Sequence, residues 1–202
     1  MRLLLTAFEP FGGDEENAAL LAMGLLPERI GETELAKAVL PVSYGRSFPA
    51  LVEAWEKERP DAILCLGQAK GRKGLTPERV GLNLDDATIP DNDGAMPLEE
   101  KILPDGENAY FSTMPVRAMC DAIRLAHIPA AVSTSAGTFV CNHVLYLLLH
   151  RVHTKYPGMR AGFLHVPCTP EQAGERTDLF TLPAEEIAKG ITLAIRAMAE
   201  DA

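Results

Sequence analysis

The sequence predicts an α/β fold: one three-layer α/β/α domain over residues 1–202, its twisted sheet mostly parallel or mixed, with helices on both faces. Three observations predict it. Short apolar runs, too short for helices, alternate along the chain with longer amphipathic stretches. Several runs (residues 3–7, 62–66 and 161–166) are apolar at almost every position, as in strands covered on both sides. And 202 residues, 47% of them hydrophobic, suffice for one sizeable core without a linker or internal repeat.

Residues 3–7 read as a buried strand, ended by the loop Glu9-Pro10-Phe11-Gly12-Gly13. Asn17 is placed to cap a helix over residues 18–26, which Pro27 closes. A strand over 35–42 follows. The next helix, 48–57, carries Leu51, Val52 and Trp55 on one face. Strands are predicted over 62–66 and 80–84, a helix over 116–126 and a strand over 130–134. Residues 141–153 form a helix that is apolar nearly all round at 144–149 and therefore buried. Residues 161–166 form a strand stopped by Pro167. A last helix has Ile187, Ile191, Ile195 and Met198 on its inner face, and Glu185 and Glu186 in its first turn, where negative charge is favoured. The long stretch 85–114, rich in Pro, Gly, Asp and Asn, reads as a functional loop, a lid or an assembly surface.

A net charge of −9 argues against nucleic acid or an anionic membrane as partner. No apolar run has the length to span a bilayer, and the N-terminus reads as a first strand rather than a signal peptide. Cys65, Cys120, Cys141 and Cys168 are widely and irregularly spaced, which reads as free thiols in a cytoplasmic protein.

The chemistry concentrates at Ser135-Ala136-Gly137-Thr138-Phe139-Val140-Cys141-Asn142-His143. A small-residue loop there delivers a cysteine to a helix start, among unpaired N–H groups at the positive end of the dipole, a setting that favours thiolate. A thiol nucleophile needs a base. His143 points to another face of the helix, His150 and His153 lie too far along it, and His127 sits at a helix end before Pro129. His165 remains, at the carboxyl end of a buried strand, where sites gather in open α/β sheets. For the acid that orients it, Glu78, Asp85, Asp86, Asp91 and Asp93 all stay open. Two rival patterns are weaker. Residues 67–74 are Gly-rich and basic after a strand, as in a phosphate loop, but lack the G-x-x-x-x-G-K-[ST] spacing and a following helix. Cys141, His143, His165 and Cys168 are zinc-ligand types, but the first spacing is too tight.

Six motifs occur in order: 6–13 (Thr-Ala-Phe-Glu-Pro-Phe-Gly-Gly) with Asn17; Gly67-Gln68-Ala69; Thr76-Pro77-Glu78-Arg79-Val80; Ile89-Pro90-Asp91-Asn92; Ala136 to His143; and Gly162-Phe163-Leu164-His165-Val166-Pro167. Together they make the chain similar to the pyroglutamyl peptidase I (pyrrolidone-carboxylate peptidase) family of cysteine peptidases, over about residues 3–166. The resemblance implies a Cys141–His165–Glu78 triad that removes N-terminal pyroglutamate through a thioester. It also implies a substrate pocket from Phe8, Phe11, Ile89, Phe139 and Val140, with polar support from Asn17 and Gln68. It further implies no metal or organic cofactor, pyroglutamyl peptides as substrate, a cytoplasmic location and a homo-oligomer, a tetramer. A flat neutral lactam suits aromatic walls with a few donors and acceptors, and needs no carboxylate to hold an ammonium.

The chain departs from that family at Thr88, where Arg is usual, at Ala7 in place of Gly, and at Lys70 where Gly is common. An electrostatic donor lost at an oxyanion costs about 2.7–4 kcal/mol. Lower activity is therefore expected, or a site in which Lys70 or Arg72 fills in. Two other readings follow: a weakly active or inactive relative that binds pyroglutamyl peptides, and a phosphate-using, nucleoside-phosphorylase-like enzyme built on residues 67–74.

Overall fold

In the computed structural model, which describes residues 1–200, the chain order is β1 (Arg2–Phe8), α1 (Ala18–Leu25), β2 (Arg29–Ile30), β3 (Thr33–Leu40), α2 (Ser47–Glu58), β4 (Ala62–Gln68), β5 (Thr76–Pro77), β6 (Val80–Leu82), β7 (Ala109–Phe111), α3 (Val116–Leu125), α4 (Val140–Lys155), β8 (Arg160–Val166), α5 (Pro170–Ala173) and α6 (Ala184–Glu200). The main sheet is six-stranded and mixed, in the order β2-β3-β1-β4-β8-β5. Its centre, β3-β1-β4-β8, is parallel, and β2 and β5 are antiparallel edges.

Strand periodicity builds the layers. Leu3, Leu5, Ala7, Leu64, Leu66, Leu164 and Val166 face one side, where they pack with α1, α3 and α6. Leu4, Phe8, Ile63, Cys65, Ala161 and Phe163 face the other, against α2 and α4. Asn17 caps α1 as its sequence position predicts, its side chain accepting from the Ala19 and Leu20 N–H groups at 3.0 and 3.4 Å. The chain leaves β1 toward β3 and returns across it to β4. The carboxyl ends of β1 and β4 therefore flank the point where the winding reverses, and the loops after them diverge to leave a crevice.

Three expectations are corrected. Residues 130–134 form no strand. They run beside β5 with bridges only at Ala130 and Ser133, because that edge is two residues long and Pro77 has no N–H to extend a ladder. The strand expected over 80–84 ends at Leu82 and pairs outside the main sheet, with β7. The 85–114 stretch thus contains a strand. It is also internally tied: Asp85 and Glu100 exchange backbone hydrogen bonds at 2.8 and 2.9 Å, and the Asn83 side chain bonds Leu103 and Gly106. No helix among the described residues is long and apolar enough to cross a membrane.

Candidate active site

The carboxyl ends of β1, β4 and β8 and the first turn of α4 surround a cleft of about 570 Å³. Cys141 and His165 both line it, with Phe11, Gln68, Lys70, Asp86, Thr88, Ile89 and Phe139 around them.

The sheet sets the base. β5 lies antiparallel to β8 with Thr76 opposite His165 and Pro77 opposite Leu164, so Glu78 falls diagonally beside His165. The Glu78 N–H donates to the Phe163 carbonyl at 2.9 Å and anchors that register. The result is a hydrogen bond of 2.8 Å between His165 Nδ1 and Glu78 Oε1, at side chains 3% and 0% exposed. Nδ1 must carry the proton to bond a carboxylate, which leaves Nε2 free as the basic nitrogen. Sequence proximity could not give this pair, whose members are 87 residues apart. Among the acids left open by the residues alone, Asp85 instead pairs with His143 at 2.7 Å, and Asp91 accepts from the Tyr44, Asp93 and Ala95 N–H groups.

The nucleophile is set by a loop and a helix. Gly137 takes a left-handed turn (φ 79°), and Phe139 in extended conformation starts α4, which places Cys141 in the first turn. Thr138 exchanges hydrogen bonds with the backbone of Asp86. Asn142, fully buried, clamps the Leu82 N–H and the Leu82 and Leu84 carbonyls. Cys141 is partly buried, its exposed part opening on the cleft. Burial, then the negative charge of Glu78 and the nearby Cys65, push its thiol up to about 12, against the slight lowering from its own N–H. Burial thus works against the acidifying pull expected from the helix start.

Gly67, opposite His165 in the β4–β8 register, makes room for the Phe163 ring and for Cys141. A Cβ there would lie 2.7 Å from the Phe163 ring and 3.0 Å from Cys141 Sγ. Gly67→Ala is therefore expected to destabilise by about 1–3 kcal/mol through overpacking, and to lower kcat more than it raises KM. Thermal unfolding and steady-state kinetics on the variant check this.

Next to the thiol is a second, narrow space of about 10 Å³, lined by Phe8, Phe11, Asn17, Val42, Gln68, Phe139, Val140 and Cys141. Phe11 and Phe139 close it, their ring centroids 5.9 Å apart. Of the expected pocket residues, Phe8 and Val140 line only this slot, Ile89 lines only the outer cleft at 42% exposure, and Phe11, Phe139 and Gln68 line both. Asn17 lines the slot while capping α1. Gln68 Oε1 accepts from the Ala18 N–H at 2.6 Å and from Gln172 Nε2 at 2.8 Å, so its orientation is fixed.

The phosphate-loop reading of residues 67–74 loses two of its three cations, Lys73 remaining exposed. Lys70 pairs with Asp14 at 2.7 Å, Arg72 bonds Glu78, and the segment runs on into β5 rather than a helix. Thr88 is exposed where it lines the cleft, and Arg72 does not line the cleft. Among the described residues no three His, Cys, Asp or Glu side chains are grouped to hold a metal ion.

A sequence profile described as pyroglutamyl peptidase matches residues 1–201. The pyrrolidone-carboxylate peptidase of Staphylococcus carnosus is 46% identical over 201 residues, 100% of this chain and 94% of that protein. That of Lactobacillus johnsonii is 45% identical over 200 residues, 99% of this chain and 93% of that protein. Among solved structures, pyroglutamyl peptidase I from Bacillus amyloliquefaciens superposes with a TM-score of 0.94 at 39% identity, covering 98% of this chain and 94% of the other. The pyrrolidone carboxyl peptidase of Thermococcus litoralis gives 0.93 at 38% identity, covering 98% and 93%.

Proposed function

We propose, from the premise that this chain belongs to the pyroglutamyl peptidase family, that Cys141, His165 and Glu78 carry the family's reaction here. That reaction is the removal of N-terminal pyroglutamate from a peptide by a cysteine peptidase. The observation that carries the assignment is the buried Glu78–His165 hydrogen bond at the edge of the cleft that Cys141 opens on.

His165 Nε2 takes the Sγ proton as the sulfur of Cys141 bonds to the carbonyl carbon joining pyroglutamate to the next residue. Glu78 holds the Nδ1 proton and stabilises the imidazolium that forms. Burial raises the thiol, so its ionisation is coupled to proton transfer to His165. The oxyanion meets first-turn N–H groups of α4, Cys141's among them, which have no intrahelical acceptor. The C–N bond breaks as His165 protonates the leaving amine, and a thioester remains. His165 next takes a proton from water, whose oxygen attacks the thioester, and pyroglutamate leaves as the sulfur regains its proton. The route draws on no metal or organic cofactor.

The lactam is read by the aromatic slot. About 10 Å³ holds about one water molecule, so the larger lactam ring enters only as the slot widens between Phe11 and Phe139. Gln68 and Asn17 support the loops that frame the slot, their side-chain oxygens accepting from the first N–H groups of α1. The same reading takes the chain as one functional domain over residues 1–202, cytoplasmic and assembled as a homotetramer. The exposed apolar side chains of Met96, Leu98 and Phe111 support a shared surface.

Reduced protein is expected to release the fluorophore from a pyroglutamyl-coumarin amide, to lose that activity on alkylation with iodoacetamide, and to show no dependence on inorganic phosphate. Folded, reduced protein that releases nothing would place the chain with the substrate-binding relatives instead.

A further inference from the structure

The turn after β4 carries a residue whose work lies behind the cleft. Arg72 Nη2 donates to Glu78 Oε1 at 3.1 Å and to the Ser135 carbonyl at 2.7 Å, and Nη1 donates to Ser133 Oγ at 2.9 Å. Glu78 Oε1 thus serves both His165 and Arg72, while Oε2 is buried with no hydrogen-bond partner. A carboxylate so enclosed depends on a counter-charge. Segment 133–135, the other half of the grip, leads directly into the loop that carries Cys141.

We propose that Arg72 is a positioning residue that sets how readily the His165–Glu78 pair takes up a proton, and that pins segment 133–135 behind the nucleophile loop. The proposal rests on the reading of Cys141, His165 and Glu78 given above. Arg72 does not line the cleft, so its influence passes through Glu78.

The sign follows from charge. The ionisable groups that meet here are Glu78 beside β5, His165 on β8, Arg72 after β4, Cys141 on α4 and Cys65 on β4. Burial pushes both thiols up to about 12, so neither enters the charge count. With Arg72 present, one ionised Glu78 and a neutral His165 sum to zero, and a proton makes the cluster positive. Without that guanidinium the cluster starts at minus one, and a proton neutralises it. Proton uptake becomes easier whichever member holds the proton. The inactive, protonated state therefore persists to higher pH.

The test follows two quantities against pH, from about 5 to 9, in wild type and in Arg72→Gln, Arg72→Met and Arg72→Lys. One is kcat/KM on the coumarin amide; the other is the rate of Cys141 alkylation by iodoacetamide, read by mass spectrometry. In the two neutral variants the acidic limb of both profiles should move up by about one pH unit or more. Arg72→Lys should keep the limb near its wild-type position but lose rate, since an ammonium keeps the charge without the planar fork. Neutral variants that lose rate with both limbs unmoved would overturn the proposal. Failure of both neutral variants to fold would assign Arg72 to the scaffold and overturn it too. Wild-type protein that cleaves no pyroglutamyl amide overturns the reading of the site itself, a separate result from an unmoved limb in active variants.

Discussion

Cys141→Ala is expected to lower kcat for pyroglutamyl amides by about 10⁶-fold, to the background rate, while the protein stays folded. No residue is placed to take its part. Cys65 lies on β4, fully buried, and its thiol is pushed up to about 12 by that burial. Cys120 and Cys168 are buried among other elements, on α3 and after β8. The stability cost should be about 1 kcal/mol, because the lost atom is one sulfur at the edge of an open cleft. Cys141→Ser should fare little better. A hydroxyl is far less acidic than a thiol, and this site already resists ionisation by burial and by the charge of Glu78. The measurement is kcat on a coumarin amide, with thermal unfolding as the control. Activity within a hundredfold of wild type in a clean Cys141→Ala preparation would remove Cys141 from the mechanism.

The second large effect is at Glu78. Glu78→Gln should lower kcat by about 10⁴-fold with a smaller change in KM, the size expected when the group that orients a catalytic histidine loses its charge. Three losses coincide. The His165 imidazolium loses its counter-charge, so the step that forms it rises in energy. The amide can turn its NH₂ toward Nδ1, which then becomes the acceptor and moves the proton to Nε2, the position that must be basic. Arg72 is left without a carboxylate. Since Glu78 is 0% exposed, water cannot repair any of these, and a stability loss of about 3–5 kcal/mol is expected. Steady-state kinetics with urea unfolding separate the catalytic from the structural part. A kcat within tenfold of wild type would mean that Glu78 does not orient His165.

Much of this was legible in the chain because it is local. The unbroken apolar runs at residues 3–7, 62–66 and 161–166 report strands covered on both faces, and Asn17 caps its helix through neighbouring backbone. Cys141 could be read from its loop-and-helix context, and His165 by excluding four other histidines. What depends on distant residues was not legible. Glu78 belongs to a two-residue antiparallel edge too short to show a period, and only the family resemblance singled it out. Arg72 looked like a cation of a phosphate loop because its carboxylate partner becomes a neighbour only when β5 folds back along β8. The setting of Cys141 divides in the same way: the helix start is visible in the sequence, the burial that opposes its acidifying pull is not.

Strand pairing also divides the labour within the cleft. Gly67, His165 and Glu78 are held at fixed spacings by hydrogen bonds among β4, β8 and the β5 edge. Lys70, Thr88 and Ile89, which line the outer cleft, hang on connecting segments. Substitutions at those three positions can accumulate over generations without disturbing the spacing on which bond cleavage depends.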